Sequence, residues 1–258
     1  MALRLRRRRR DPAASMTVVG HLEELRTRLI VSVAAVAMGA VGAWFLYRPV
    51  FDLLSNPFCR FMERHPSLAI DATQPCQLAY TSPVEPFLVK IKIVAFLGVV
   101  LALPVVLYEL WMFVTPGLTA RERRFALPFV LSSLALFALG AWFAMLTLPK
   151  GLDFLLGFAG TTRIVAVLTI GKYLAFVMLL IVAFGVSFEF PLILVFLTLV
   201  GVLTSRKLRD GRRYAILAIA VFAAVITPSQ DWFTMTALMV PLIVFYELSI
   251  LISRLLKK

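Results

Sequence analysis

The stretch YLAFVMLLIVAFGVSFEFPLILVFLTLV, residues 173–200, sets the fold class of this chain. Its one charged residue is Glu189, which Pro191 follows two positions later. A helix needs roughly 20 mostly apolar residues to cross the hydrocarbon core of a bilayer, so the stretch predicts a membrane-spanning helix. A carboxylate without a basic partner at that depth is a candidate functional group, because its burial in hydrocarbon is costly.

Other apolar runs of similar kind occur along the chain. Hydrophobic residues make up 61% of the sequence, and the mean hydropathy is +0.91. The runs are continuous rather than alternating at every second residue, so they indicate helices and not a barrel. We therefore expect an all-α, polytopic membrane protein. Its six predicted transmembrane helices are 29–47, 84–114, 125–148, 173–200, 214–226 and 232–253.

The fifth predicted span, 214–226, is unusually short. Its 13 residues rise about 1.5 Å each, which gives roughly 20 Å and falls short of a normal bilayer. Either the membrane is locally thinned around this helix, or the sequence places the ends of the helix wrongly. The turn at 227–231, which contains Pro228, fixes one end better than the other.

Lys and Arg are unequally distributed between the connections of these spans. Nineteen lie before the first span, between the second and third, between the fourth and fifth, and after the sixth, against six in the remaining connections. The excess predicts that both termini are cytoplasmic. The net charge of +13 and the pI of about 10.4 come mainly from these short segments, which meet anionic lipid head groups. We therefore expect a lipid bilayer and no nucleic acid as a partner.

Residues 1–17 contain a run of arginines at 6–10. Such a run opens some export signals, but here no short apolar region with a small-residue cleavage site follows it. Asp11 and Pro12 come next, and then a charged amphipathic segment. We expect residues 1–17 to be a disordered, basic cytoplasmic tail, with Met16 as an alternative start. Residues 18–258 are expected to form the six-helix membrane domain.

Side chains that carry catalysis are scarce. The two histidines, His21 and His65, fall on opposite sides of the predicted membrane. The two cysteines are Cys59 and Cys76, so the sequence predicts neither a zinc site nor a Cys–His pair. We expect no enzymatic activity, no metal and no cofactor.

The two cysteines predict a disulfide instead. Cys59 and Cys76 both fall in the predicted external loop 48–83. That loop faces an oxidising compartment in many bacteria, which favours the bond. Two free thiols are the alternative.

Two predicted cytoplasmic segments carry carboxylates. In residues 18–29 the apolar side chains form one helical stripe, and Glu24 and Arg28 lie on the other side at i, i+4. Composition by itself favours a surface ion pair worth about 0.3–0.5 kcal/mol. In the second segment, Thr119 and Glu122 form a capping box that opens the third span, which is a sufficient structural reason for that glutamate.

Four motifs in register resemble the TatC subunit of the twin-arginine protein translocase. They are HLEELRTRL at 21–29, SPVEPF at 82–87, PVVLYELWMFVTPGL at 104–118 with ERR at 122–124, and FGVSFEFP at 184–191. Each motif by itself is a weak signal, whereas the ordered set and the six-span topology together are specific. The arginine tail and the cysteine pair are not part of the family pattern.

The resemblance implies a receptor rather than an enzyme. Members of this family recognise the twin-arginine signal peptides of folded export substrates in the bacterial cytoplasmic membrane. They work with single-span TatA-like and TatB-like subunits and with other copies of themselves, driven by the proton-motive force. Glu24 and Glu122 match the family's signal-peptide site, to which we also assign Arg26 and Phe113 from the same motifs. Two carboxylates suit two arginines, because guanidinium binds a carboxylate bidentately and ammonium does not.

Glu189 has three competing interpretations. It forms a polar intramembrane notch that receives a partner subunit's helix or the inserted signal peptide, or it makes a helix-packing hydrogen bond without a role in transport. The third interpretation is a proton-coupled secondary transporter that uses Glu189 as its carrier acid. The absence of a sequence repeat and the motif series favour the translocase over the transporter.

Overall fold

The structure is a computed structural model that describes residues 18–65, 76, 78–114, 126–157, 168–229 and 231–255. Helices dominate this part of the chain, and the one strand-like feature described within it is an isolated parallel bridge between Ala79 and Thr169. The prediction of an all-α fold is confirmed. The predicted basic tail, 1–17, lies outside the described residues.

Five membrane-crossing elements are long and apolar enough to span a bilayer within the described ranges. These are α1, α3, α4, the consecutive helices α5 and α6, and α9. The helices are α1 (Val18–Phe45), α2 (Tyr47–Arg64), α3 (Glu85–Val114), α4 (Ala126–Gly157), α5 (Ile170–Ser187), α6 (Phe190–Leu199), α7 (Ser205–Asp210), α8 (Arg212–Ile226) and α9 (Trp232–Leu255). The chain is therefore a helical membrane protein, as the hydropathy predicts.

The predicted spans and the observed helices differ mainly at their ends. The predicted interfacial helix and the first span form one continuous helix, α1. The third span continues through Pro149 to the end of α4 at Gly157. The short fifth span corresponds to α8, which has 15 residues and remains shorter than the five spanning elements.

Helix α2 was not predicted, since the sequence interpretation treated 48–83 as a loop. The polar residues of α2 and its internal Pro57 are typical of a loop, so the sequence did not indicate a helix here. Proline is nevertheless unfavourable rather than forbidden inside a helix. One face of α2 buries Leu54, Phe58 and Phe61 against the bundle. This apolar stripe at helical spacing is what a closer reading of the loop would have found.

The fourth span is broken beside its carboxylate. Helix α5 ends at Ser187, and α6 begins at Phe190 with Pro191 in its first turn. Proline has no N–H to donate and is favoured in the first turn of a helix, which fits a break just before Pro191. Glu189 therefore stands at the N-terminal boundary of α6, where its backbone oxygen accepts from Leu192 and Ile193 at 3.1 Å each.

Glycines allow two pairs of helices to approach closely. Where α1 crosses α3, a Cβ on Gly98 would lie 2.9 Å from the Ala40 Cα atom, and one on Gly39 would lie 2.5 Å from the Gly98 oxygen. Where α4 crosses α5, a Cβ on Gly140 would lie 2.6 Å from the Phe184 oxygen. Small residues let membrane helices pack backbone to backbone, so these crossings fix how α1 sits on α3 and α4 on α5.

Polar contacts connect the helices at the end of the bundle that holds α2 and Glu85. We call this end the cap end. Glu85 accepts from the Thr81 N–H at 2.8 Å and from the Gly171 N–H at 3.0 Å, which joins the starts of α3 and α5. The Tyr173 hydroxyl donates to the Leu54 oxygen at 2.9 Å. A disulfide joins Cys59, on α2, to Cys76 in the following connection.

Candidate functional sites

The first site is a cluster of three charged side chains at the opposite end of the bundle, here called the terminal end. Glu24 and Arg28 lie one turn apart on α1, and Glu109 lies on α3. Arg28 donates from Nε to Glu24 Oε1 at 3.1 Å and from Nη2 to the same oxygen. Its remaining nitrogen, Nη1, donates to Glu109 Oε2 at 3.0 Å. One guanidinium therefore bridges two carboxylates from two helices, and we call these residues the charge triad.

The charge triad is not the exposed surface pair that composition favoured. The side chains of Glu24 and Arg28 are each 19% exposed, and that of Glu109 is 17% exposed. The Glu24 Oε2 atom is buried and has no hydrogen-bond partner among the described residues. A buried acceptor without a partner costs about 1–3 kcal/mol, and more when it carries charge. The cluster also keeps a net charge of about −1, since two carboxylates surround one guanidinium.

Aromatic side chains border the charge triad. The Phe113 ring lies one turn beyond Glu109 on α3 and stacks on His21, three residues before Glu24, with ring centroids 4.4 Å apart. Arg26 is exposed on α1. The stacked pair therefore joins α1 and α3 about one turn away from Glu24 and Glu109.

The structure thus brings together only some of the predicted site residues. Glu24 and Phe113 lie on α1 and α3 at the terminal end, whereas Glu122 lies outside the described residues. Glu109, Arg28 and His21 were not predicted as site members. Glu109 carried a usable signal, because it is the one charged residue in the second half of α3.

The second site is a cavity of about 210 Å³ within the membrane-spanning part of the bundle. Glu189 and Ser133 are its polar side chains, apart from the indole nitrogen of Trp111, and its remaining lining residues are apolar. The Ser133 hydroxyl lies beside the Glu189 carboxyl. Glu189 Oε1 is buried without a hydrogen-bond partner among the described residues. A carboxyl group buried within the spans is costly unless it is protonated, accepts a hydrogen bond from the protein, or contacts a polar group of a bound partner.

Aromatic rings form one wall of this cavity. Trp111 stacks on Phe129 with ring centroids 4.4 Å apart, and Phe196 meets Trp111 edge-on at 4.9 Å. Trp111 Nε1 is also buried without a partner in the described part of the chain. Because Trp111 follows Glu109 by two residues on α3, their side chains lie roughly 200° apart around the helix axis, and nearly opposite faces of one helix line the two sites.

The described residues contain no group of three or more His, Cys, Asp or Glu side chains that could hold a metal ion. The two sites are instead marked by Glu24 and Glu189, each of which has one carboxylate oxygen without a hydrogen-bond partner in the described ranges. Fold and sites define the class: an all-helical, polytopic membrane protein with a partly buried charge cluster at a bundle end and a mainly apolar cavity within the spans that contains a carboxyl group.

Comparison with known proteins identifies the family. Residues 20–241 match the model of the family described as Sec-independent protein translocase protein (TatC). The chain belongs to the TatC family, and the resemblance found in the sequence motifs is confirmed. It is accordingly a protein translocase component.

The similarity to individual relatives covers nearly the whole chain. The TatC protein of Frankia casuarinae is 42% identical over 250 residues, which are 96% of this chain and 68% of that protein. The TatC protein of Aquifex aeolicus is 38% identical over 93% of this chain and 95% of its own length. A crystal structure of the twin-arginine translocase receptor TatC superimposes with a TM-score of 0.73 at 38% identity, covering 92% of this chain and all (100%) of the other.

Proposed function

We propose that this protein is the receptor for twin-arginine signal peptides and the core subunit of a translocase that exports folded proteins. The observation that carries this proposal is the half-buried Glu24, whose Oε2 atom lacks a partner in the described residues although a guanidinium already sits on Oε1. A carboxylate held in this way at a bundle end suits recognition of a second guanidinium.

Chemistry of the ligand supports this function. An arginine forms two parallel hydrogen bonds to a carboxylate, whereas a lysine presents a single point charge. Each charge-assisted hydrogen bond contributes about 1.5–3 kcal/mol. Two carboxylates that bind two arginines therefore give at most micromolar affinity once the cost of association is included. In this proposal Glu24 and Glu122 bind the arginines, Arg26 and Phe113 contact the neighbouring signal residues, and the apolar part of the signal contributes the remaining affinity along the spans.

The remaining features are assigned on the same basis. Six spans with both termini cytoplasmic would place the charge triad on the cytoplasmic side, where the signal peptide arrives, in the bacterial cytoplasmic membrane. The Glu189 cavity would receive the helix of a TatA-like or TatB-like subunit, or the inserted signal. Transport would be driven by the proton-motive force, with other copies of this chain in the complex.

The test is co-purification of the detergent-solubilised protein with a twin-arginine signal peptide and with its twin-lysine variant. We expect retention of the arginine peptide and at least tenfold less of the lysine peptide, since each 1.4 kcal/mol corresponds to about tenfold in affinity. Equal retention of both peptides would contradict the proposal.

A proton-coupled secondary transporter is the second candidate function. One observation favours it, namely a Glu189 oxygen that lines a cavity and has no hydrogen-bond partner within the described ranges. A carrier acid must ionise, so the transporter interpretation requires that Glu189→Gln and Glu189→Ala abolish transport equally. A partner-binding notch needs only hydrogen-bonding capacity, so Glu189→Gln would then do much less harm.

A further inference from the structure

We propose that Arg28 is an internal competitor of the signal peptide's arginine for Glu24, and that Glu109 is the residue that holds Arg28 when it is displaced. This inference rests on the proposed function, because it names the residues that set the arginine specificity of that site. It gives a role to Arg28, which the sequence interpretation treated as the partner of Glu24 in a surface ion pair, and to Glu109, which was not predicted as a site residue.

Arg28 occupies the place that a ligand guanidinium would need. Two of its nitrogens, Nε and Nη2, point to the single oxygen Glu24 Oε1. The other oxygen, Oε2, is buried and unpartnered among the described residues. A guanidinium binds best when its two parallel N–H groups meet both oxygens of a carboxylate. An incoming arginine can reach this arrangement on Glu24 only if Arg28 releases Oε1.

Glu109 offers Arg28 a second position without a large movement. Arg28 Nη1 already donates to Glu109 Oε2 at 3.0 Å. A rotation of the guanidinium toward α3 would exchange its contacts with Glu24 for further contacts with Glu109. All three side chains are mostly buried, so an Arg28 released without Glu109 would lose its charge partner in a weakly polar setting.

The charge balance favours this exchange. The charge triad holds two carboxylates and one guanidinium, and a bound ligand arginine would make two matched ion pairs, Arg28 with Glu109 and the ligand with Glu24. The nearest other charged residues on α1, Glu23 and Arg26, are exposed, so they do not neutralise the net charge of the charge triad. Exposed charges interact weakly with a partly buried site because solvent screens them.

The exchange also explains discrimination against lysine. A ligand must compete with a guanidinium that is already hydrogen-bonded to Glu24, and a lysine ammonium has no planar fork with which to do so. Specificity here comes from a built-in competitor as well as from attraction. Removal of Arg28 should therefore raise the affinity for both kinds of peptide and reduce the difference between them.

The experiment is a double-mutant cycle on the full-length protein in detergent, with binding of a fluorescent twin-arginine signal peptide as the readout. We expect Glu109→Gln to weaken binding about tenfold, since it leaves Arg28 fixed on Glu24. Arg28→Gln should strengthen binding of the twin-lysine peptide more than that of the twin-arginine peptide. The double variant, Arg28→Gln with Glu109→Gln, should recover at least wild-type affinity.

Glu23→Gln is the matched control, because it removes the same charge from an exposed position next to Glu24. It should leave affinity within about twofold of wild type. An equal loss in Glu23→Gln and Glu109→Gln would overturn the proposal, since general electrostatic attraction would then explain both.

Two further outcomes would also overturn it. A double variant as weak as Glu109→Gln would mean that Glu109 binds the peptide itself. Weaker binding in both Arg28→Gln and Arg28→Lys, in monodisperse protein, would mean that Arg28 positions Glu24 rather than competing for it. Failure of the proposed function looks different, because wild-type protein would then bind the arginine and lysine peptides equally.

Discussion

Glu24 and Glu189 are both half-buried carboxylates with one oxygen that has no hydrogen-bond partner among the described residues, yet their surroundings differ. Glu24 shares a guanidinium with Glu109 at a bundle end, whereas Glu189 faces an apolar cavity in which Ser133 is the polar neighbour. A guanidinium forms charge-assisted hydrogen bonds with a carboxylate, whereas an apolar cavity leaves a carboxyl group in need of a hydrogen-bonding partner. The first environment is therefore built for ionic recognition and the second for hydrogen bonding.

The distinction separates two steps of the proposed function. Ionic recognition would select the signal peptide at the membrane surface, and a hydrogen-bonding notch would act later, within the spans. Residues around Glu24 should consequently control binding of the peptide, while those around Glu189 should control assembly or transport after binding. Each of the following predictions tests this separation, and they are ordered by expected effect on peptide binding or export.

The largest effect is expected for Glu24→Ala. Loss of two charge-assisted hydrogen bonds to a ligand arginine should weaken peptide binding by about a hundredfold or more. Site-specific crosslinking to the arginine region of the signal should then disappear while the protein remains inserted in the membrane. Unchanged crosslinking and export would remove Glu24 from the binding site.

Glu122 allows a similar test with a smaller structural risk. Glutamine preserves a capping box, whereas it forms no ion pair with arginine, so Glu122→Gln should abolish crosslinking without affecting insertion. Crosslinking at the wild-type level in Glu122→Gln would restrict this glutamate to its capping role.

The next effect concerns Glu189 and transport. Glu189→Ala should reduce export about tenfold or more, because it removes the one carboxyl group that lines the cavity in the described part of the chain. Glu189→Gln should retain most export, and both variants should bind the signal peptide normally. Export by vesicles under an imposed proton-motive force measures the first effect, and peptide binding in detergent measures the second. Normal export in both variants would leave Glu189 a packing role only.

A moderate effect is expected where α1 crosses α3. In Gly98→Ala the new methyl group would lie 2.9 Å from the Ala40 Cα atom, so the helices must separate, at a cost of about 1–3 kcal/mol. The separation moves Glu24 and Arg28 away from Glu109, and peptide affinity should fall several-fold. Affinity measured by fluorescence anisotropy at matched protein concentration checks this prediction.

Two glycine variants serve as controls for that prediction. Gly42→Ala lies on α1, the other helix of this crossing, where a Cβ would meet nothing within 4 Å, and it should bind like wild type. Gly140→Ala disturbs the α4–α5 crossing near the second site, so it should reduce export while preserving binding. A binding defect in Gly140→Ala as large as that in Gly98→Ala would contradict the independence of the two sites.

The smallest effect on binding is expected from the disulfide at the cap end. Closure of a loop with a sequence separation of 17 stabilises the fold by about 3 kcal/mol on the chain-entropy model. Cys59→Ser should therefore lower the unfolding midpoint in denaturant but change peptide affinity less than about twofold. Maleimide should label neither Cys59 nor Cys76 without prior reduction, and full labelling of both in unreduced protein would refute the bond.

Much of the fold was predictable because hydropathy is a local property of the sequence. A span such as α3 or α9 is recognisable from its own residues, whatever its neighbours are. Helix α2 was missed because its prolines and polar residues resemble a loop, and its burial depends on the bundle beneath it. The break at Glu189 was only suggested by Pro191, since a proline limits where a helix can start but not how far the break extends.

The composition of the charge triad was less predictable. The i, i+4 spacing of Glu24 and Arg28 is visible in the sequence, whereas Glu109 is 81 residues away from Arg28. Their meeting depends on how α1 crosses α3, which the close approach of Gly39 and Gly98 determines. No local pattern contains that information, so the pair was interpreted as a surface ion pair.

The clearest test is equilibrium binding of one twin-arginine signal peptide to two variants that carry the same substitution, Glu24→Gln and Glu189→Gln. Glutamine is nearly isosteric with glutamate, so the comparison isolates charge from packing. If Glu24 reads arginine by its charge and Glu189 acts through hydrogen bonding, Glu24→Gln loses at least tenfold in affinity and Glu189→Gln binds like wild type. Equal affinities in the two variants would contradict the separation of recognition from transport.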